Sequence, residues 1–369
     1  MREIAATWMR GGTSKCWVFR RDDLQVPDLS VDEVLLRIYG SPDHRQIDGV
    51  GGGTSTTSKA VILAPSAADG VDVEYTFAQV GIEEAKVDWG SNCGNCSAVV
   101  ASFAIREGWV RTQASETAVR VLNTNTDQLI VQRVPTPGGV LDEAASESIP
   151  GVPFLGAPVR MGFVDPAGRS TGRLFPTGHQ RDVLSDAVGG VTVTLVDAGA
   201  PVVAARAADF GMRGDEDIAE LDLVPGLLSR LDAVRREAGV LMGLAAGPEE
   251  VARAVPKLAL VSAADPADEE RADLSVRMLS MGRFHPAVPV TGSVALTLAA
   301  DVPGTVVHDV MPTDQPITGL RLATPAGRVS TFVETHDGVP VVGVVRTYRR
   351  LAEGSVLLPD PPLLPSVSA

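Results

Sequence analysis

A chain of 369 residues, 44% hydrophobic and 21% charged, has the composition of an ordinary globular protein and the length for two cores. Its net charge of -14, with no basic cluster, argues against a nucleic-acid partner. Small anions are not excluded, because a few local Arg, Lys and backbone N–H groups suffice to hold them. The three cysteines, Cys16, Cys93 and Cys96, are too few for a disulfide framework and point to a reducing, cytoplasmic setting. No run of about 18 apolar residues is present, so no membrane span is expected. The opening segment MREIAATWMRGGTSK carries no apolar stretch of the signal-peptide kind.

In chain order, the first chemistry-bearing segment is MRGGTSK at 9–15. It gathers Arg10, Thr13, Ser14 and Lys15 around two glycines, which makes it either an ordinary tight turn or a set of donors for a carboxylate. Next comes IDGVGGGTSTTSKAVIL at 47–63. The phosphate-loop pattern fails here, since Lys59 lies between Ser58 and Ala60, and no strand precedes Gly49 as a dinucleotide fold would need. What remains is a flexible Gly-rich loop delivering Lys59 to the start of a strand, AVIL. There it is either a partly desolvated base or a solvated edge lysine.

WGSNCGNCSAVVASFAIREG at 89–108 predicts a small-residue helix over about 94–107. A helix of Ala, Val and Ser has no solvent face and belongs inside a core. Its CGNC has three chemical readings. A redox dithiol fits the helix start but lacks a compact βαβ context. Zinc wants a second ligand pair that the sequence does not supply, so no metal is expected. The third reading is a single functional thiol, Cys93, at the helix cap. There the dipole favours thiolate, and the N–H groups of Gly94 and Asn95 point outward, while Cys96 packs inside the first turn.

The Gly/Pro-rich stretch at 165–182 marks a domain junction, giving domains 1–180 and 181–358 and a loose tail at 359–369. Helical patterns follow at 215–224, 226–244, 247–254 and 291–300, among strand runs such as VTVTLVDAG and KLALVSA. The acid pairs Glu83–Glu84 and Glu269–Glu270 read as solvated faces. VRMLSMGRFHPAVPVTGS at 276–293 sets Arg277, Ser280, Arg283 and His285 just ahead of the second apolar helix, which opens at Thr291 and Gly292. Two such helices, one per half, predict an α+β fold of two pseudo-repeated domains, each a curved, mostly antiparallel sheet around a buried central helix.

MRGGTSK, TSK at 57–59, SNCGN at 91–95, LFPTG at 174–178, PKLALVS at 256–262 and VRMLSMGRFHPAVPVTGS occur in the order of the PrpF-like family, and the chain resembles that family from about residue 7 to 350. The resemblance implies a diaminopimelate epimerase-like fold and isomerisation of small unsaturated di- and tricarboxylic acids without a cofactor. It carries the two catalytic positions onto Lys59 and Cys93. The implied substrate shell is Thr13, Ser14, Gly94, Asn95, Arg277, Ser280, Thr291 and Gly292. The epimerases pair two thiols, but here the second helix offers Thr291 and Gly292, which leaves Lys59 as the second proton handler. Cys16, Cys96 and Ala200 depart from the family pattern. The partner implied is a small anionic polycarboxylate, with neither nucleic acid nor membrane, and a homodimer is compatible with the sequence. Two other readings stand beside this one: a thiol–disulfide protein, and a carboxylate binder of the same fold without turnover.

Overall fold

The structure, a computed structural model, describes residues 2–90, 92–186, 189–265, 272–312, 317–336 and 338–360. Glu269–Glu270 and residues 361–369 of the expected tail lie outside them. The chain forms two compact units. One comprises residues 1–148, 152–161 and 346–369; the other comprises 149–151 and 162–345.

The first unit carries β1 (Arg2–Gly11), β2 (Ser14–Arg20), β3 (Lys59–Pro65), β4 (Val73–Val80), β5 (Val87–Asp88), β6 (Glu116–Asn123), β7 (Gln128–Pro135) and the start of β8 (Ala157–Val164). Its helices are α1 (Val31–Tyr39), α2 (Gly94–Ser97) and α3 (Val100–Arg106). β1 and β2 form a hairpin, β2 runs parallel to β3, and β3 pairs antiparallel with β4. β4 is parallel to β6, which pairs antiparallel with β7.

The second unit carries β9 (Asp182–Asp186), β10 (Gly189–Ala198), β11 (Ala200–Arg206), β12 (Lys257–Ala263), β13 (Leu274–Ser280), β14 (Arg283–Phe284), β15 (Arg321–Thr324), β16 (Gly327–His336) and the start of β17 (Val339–Leu358). Its helices are α4 (Ile218–Asp222), α5 (Leu227–Leu241), α6 (Val290–Ala300) and α7 (Val306–Asp309). β10 and β11 form a hairpin, β11 is parallel to β12, and β12 pairs antiparallel with β13. β13 is parallel to β15, which pairs antiparallel with β16.

Both sheets are therefore mixed, with parallel links joining antiparallel pairs. The domain boundary differs from the expected 180/181. It falls near 162, and the far end of β17 returns to the first unit because Leu358 to Tyr348 pair antiparallel with Arg2 to Gly11. A terminal strand pairing with the opposite terminus leaves no local compositional mark.

In the first unit α2 and α3 pack against β1, β2, β3, β6 and β7, and α2 through most of α3 is buried. In the second unit α6 packs against β10, β11 and β16 and is buried along almost its whole length. The expected helix at 94–107 is interrupted at Ala98 and Val99. The interruption is served by Gln132 of β7, which is fully buried: its Nε2 donates to Ser97 O at 2.8 Å and its Oε1 accepts from Ala101 N at 3.0 Å. On the other face of the first sheet lies α1, which the sequence reading passed over. Its Ser30 and Glu33 form a capping box, and Val34, Leu35, Ile38 and Tyr39 enter the core at about 1.5–3 kcal/mol each. α5 covers the second sheet in the same manner, through Leu231, Val234 and Ala238. Among the described residues, no helix is long and apolar enough to cross a membrane.

Gln132→Leu removes the buried amide that bridges α2 and α3 and strands Ser97 O and the Ala101 N–H. It should lower stability by about 2–3 kcal/mol, read as a shift of the urea midpoint at constant slope; an unchanged midpoint would contradict this role.

Candidate active site

Lys59 opens β3, where the chain leaves the Gly-rich loop, as expected. The loop itself is pinned rather than loose. Gln46 accepts from Gly53 N at 2.9 Å and donates to Ser58 Oγ at 2.7 Å, and Ser58 Oγ donates to Val80 O at 2.9 Å. Lys59 is only 9% exposed. Its Nζ donates to Gln79 Oε1 at 2.6 Å and lies 4.8 Å from the centre of the Phe77 ring. Gln79 is held in turn by its Nε2 donating to Ser58 O at 2.8 Å. Tyr39 O–H donates to the Lys59 carbonyl. The Lys59 Nζ is thus aimed at a neutral amide oxygen and an aromatic face.

Cys93 is the N-cap of α2, in extended backbone conformation, and its Sγ accepts from Cys96 N at 3.4 Å. The expectation that the helix start makes it a thiolate is not met. Its S–H is hydrogen-bonded to Cys96, and this contact and burial push the thiol well above the ordinary range, with Lys59 pulling weakly the other way. Burial and a hydrogen bond to Cys16 likewise raise Cys96. Cys96 thus does more than fill space: it is hydrogen-bonded to both Cys93 and Cys16. For Cys93, both causes favour the protonated thiol over the thiolate.

The other first-unit candidates gather around the same helix start. Asn95 Nδ2 donates to Thr13 Oγ1 at 3.1 Å. Ser14 is buried and paired with Gly11 across the hairpin turn. Gly12 sits in that turn at φ +51, and a Cβ there would fall 2.1 Å from Asn95 Oδ1, so only glycine lets the turn touch the helix. Gly94 and Asn95 occupy the first turn of α2, where N–H groups lack intrahelical acceptors. Two residues of MRGGTSK are committed elsewhere. Arg10 donates through one terminal nitrogen to Gly12 O and Thr347 O, and Lys15 lies over the Trp8 ring.

In the second unit, Thr291 and Gly292 fall in the first turn of α6. Met278 of β13 faces them, its Sδ 2.5 Å from where a Cβ on Gly292 would stand. Strand alternation puts Ser280 on that face and turns Arg277 to the opposite one. There Arg277 Nε donates to Glu216 O at 2.6 Å and a terminal nitrogen donates to Val276 O at 3.0 Å. The structure does not bring Arg277 to the start of α6.

Two amides escaped the sequence reading. Asn92 has both side-chain atoms buried beside Cys93 without a hydrogen-bond partner among the described residues, and Asn95 Oδ1 is in the same condition. Such atoms are costly unless something binds them. Asn125 donates to Phe77 O at 2.9 Å and Trp89 O at 2.8 Å, fixing the segment that leads into Cys93. The SNCGN motif contained Asn92, but nothing in sequence marks Asn125, which acts from 32 positions beyond Cys93.

The crystal structure of a methylitaconate-delta-isomerase superposes on the chain with a TM-score of 0.82 and 35% identity, over 100% of this chain and 98% of that one. A hydroxyproline epimerase from Agrobacterium vitis shares the fold, with a TM-score of 0.55 and 15% identity over 98% of this chain and 94% of that one. The 4-oxalomesaconate tautomerase of Pseudomonas putida is 40% identical over 357 residues, 96% of each chain. The chain is an isomerase. It belongs to the PrpF protein family, which it matches over residues 1–359. The comparisons give no support to a thiol–disulfide protein or to a binder without turnover.

Because alkylation follows thiolate, iodoacetamide should label Cys93 slowly at neutral pH, with the rate rising only above the ordinary thiol value of about 8.5. Cys96→Ala removes the leading cause of the shift, so its inflection should move down. Cys16 and Cys96 are fully buried and should not contribute. A wild-type inflection below about 7 would contradict the neutral-thiol resting state.

Proposed function

We propose that this isomerase moves a double bond within a small unsaturated di- or tricarboxylic acid, using Lys59 and Cys93 as its two proton handlers. The observation that carries the reading is the placement of Cys93 at the cap of α2, its Sγ accepting from Cys96 N, together with the nearly buried Lys59 at the head of β3, its Nζ on Gln79 Oε1. Burial and the neighbouring Cys96 favour the protonated form of Cys93, which suits it to donate, and we assign the base role to Lys59 acting as the free amine. The Lys59 amine takes the proton from the allylic carbon and a dienolate forms. Cys93 S–H then gives its proton to the far carbon and the double bond shifts. The ammonium and thiolate left behind attract each other, and return of one proton from Lys59 to Cys93 resets the site.

Thr13, Ser14, Gly94, Asn95 and the orphaned amide of Asn92 are assigned to the carboxylates and the developing enolate charge. Both proton transfers are made by side chains of the chain itself. The names of the relatives support a substrate with conjugated carboxylates, since one is a 4-oxalomesaconate tautomerase and another a methylitaconate-delta-isomerase. We also infer that the two units are repeats of one fold. The supporting observation is their common order of pairing: hairpin, parallel link, antiparallel pair, parallel link, antiparallel pair. Three free cysteines fit a reducing, cytoplasmic setting.

Proton NMR in D₂O with trans-aconitate, 2-methylaconitate, itaconate derivatives and 4-oxalomesaconate tests the reaction. One of them should isomerise with deuterium entering an allylic position. Lys59→Ala and Cys93→Ala should each lower the isomerisation rate about 10²–10⁴-fold. Isomerisation undiminished in either variant would overturn the assignment.

A further inference from the structure

Gln79 is half-buried on β4, directly opposite Lys59 of β3. Paired residues of neighbouring strands present their side chains on the same face, so the register itself brings the two together. On its other side Gln79 pairs with Asp88 of β5. Lysine, amide and carboxylate therefore stand in one row across three strands, with the amide in the middle. The Asp88 Oδ1 is engaged in its own turn, where it accepts from Gly90 N at 2.8 Å. The other titratable groups around Lys59 are thiols and phenols. Cys93 and Cys96 at the helix start interact with it electrostatically, Tyr39 donates to its carbonyl, and Tyr75 donates to Cys93 O at 3.2 Å.

The amide is held at both ends. Its Oε1 accepts from Lys59 Nζ at 2.6 Å and its Nε2 donates to Ser58 O at 2.8 Å. Half a turn of the amide would set its NH₂ against the lysine and its oxygen against a carbonyl, so one orientation alone satisfies both partners. Ser58 is fully buried and tied to Gln46 and Val80. Phe77, two residues earlier on the same face of β4, flanks the Nζ with its ring centre 4.8 Å away. An amide here, rather than a carboxylate, matters in two ways. An uncharged acceptor does not favour the charged form of the lysine as an ion pair would. By accepting one N–H of the amine it also fixes where the lone pair points, and a base needs that direction settled before it meets a C–H bond.

We propose that Gln79 is a positioning residue for the reaction: it aims the Lys59 amine and, being neutral, lets that amine work as a base. This rests on the isomerase reading above, with Lys59 as a proton handler.

The test uses the full-length enzyme and the acid of the D₂O panel that it isomerises, with rates followed across neutral and alkaline pH. Gln79→Met keeps the length of the side chain and removes both hydrogen bonds. Its kcat should fall about tenfold to a hundredfold at every pH, the cost of misplacing a reacting group by about 1 Å, with KM within about threefold of the wild type. Gln79→Glu keeps the acceptor and adds a charge. Its kcat should be low at neutral pH and recover as the pH rises, with the acid limb of the profile about one pH unit or more above that of the wild type. A residue that merely supported the sheet would give a loss without this pH dependence. Urea midpoints show whether each variant is folded. Lys59→Ala is measured alongside to separate the two readings. If it still isomerises the acid at the wild-type rate, the proton-transfer reading falls and the role of Gln79 falls with it. If it is impaired, a folded Gln79→Met with wild-type kcat, or a Gln79→Glu whose acid limb stays in place, overturns the role of Gln79 alone.

Discussion

A helix without a polar face must be walled on every side, and the architecture of the first unit follows from that constraint. Gly94 to Ala104 contains only small or apolar residues, and burying them takes strands from both ends of the unit, β1 to β3 and β6 to β7. Such an enclosed helix can reach a ligand only at its end. The hairpin turn of β1 and β2 comes against that end through Gly12, so its hydroxyl residues Thr13 and Ser14 arrive at the same place as the cap residue Cys93. The site is a consequence of the packing.

Electrostatics then sorts the two reactive groups. A thiol at a helix cap is ordinarily drawn toward thiolate, but here burial and a neighbouring thiol outweigh the helix and the lysine together. The result is a thiol held toward its protonated form, and a lysine held by an amide oxygen and an aromatic face, the two groups to which we assign the proton transfers. Among the buried side-chain polar atoms without a hydrogen-bond partner in the described residues, those of Asn92 and Asn95 lie at this same helix start.

Much of this was legible in the sequence because the chemistry is local. Lys59 at the exit of a Gly-rich loop, Cys93 at the head of an apolar stretch and the second apolar helix at 291–300 are features of a few consecutive residues. What escaped depends on distant contacts. The raised thiol of Cys96 depends in part on Cys16 meeting it across 80 positions, and the break between α2 and α3 is stabilised by Gln132, whose meaning exists only in the folded sheet. Arg277 looked like a substrate ligand because it lies near His285 and Thr291 in sequence, yet strand alternation turns it to the wrong face. The domain boundary moved because β17 ends beside β1, a pairing that no local composition announces. α1 is a different case: its Ser30–Glu33 capping box and its Gly40 stop were both in plain view.

The central claim is a division of labour, with Lys59 removing the proton and Cys93 returning it. It is tested most directly by following substrate in D₂O with Cys93→Ala and Lys59→Ala before any product accumulates. The account predicts that Cys93→Ala still exchanges the allylic proton of unreacted substrate for deuterium, because the base is intact and only the second step is lost, while Lys59→Ala exchanges nothing. Exchange surviving in Lys59→Ala and vanishing in Cys93→Ala would reverse the roles and contradict the account.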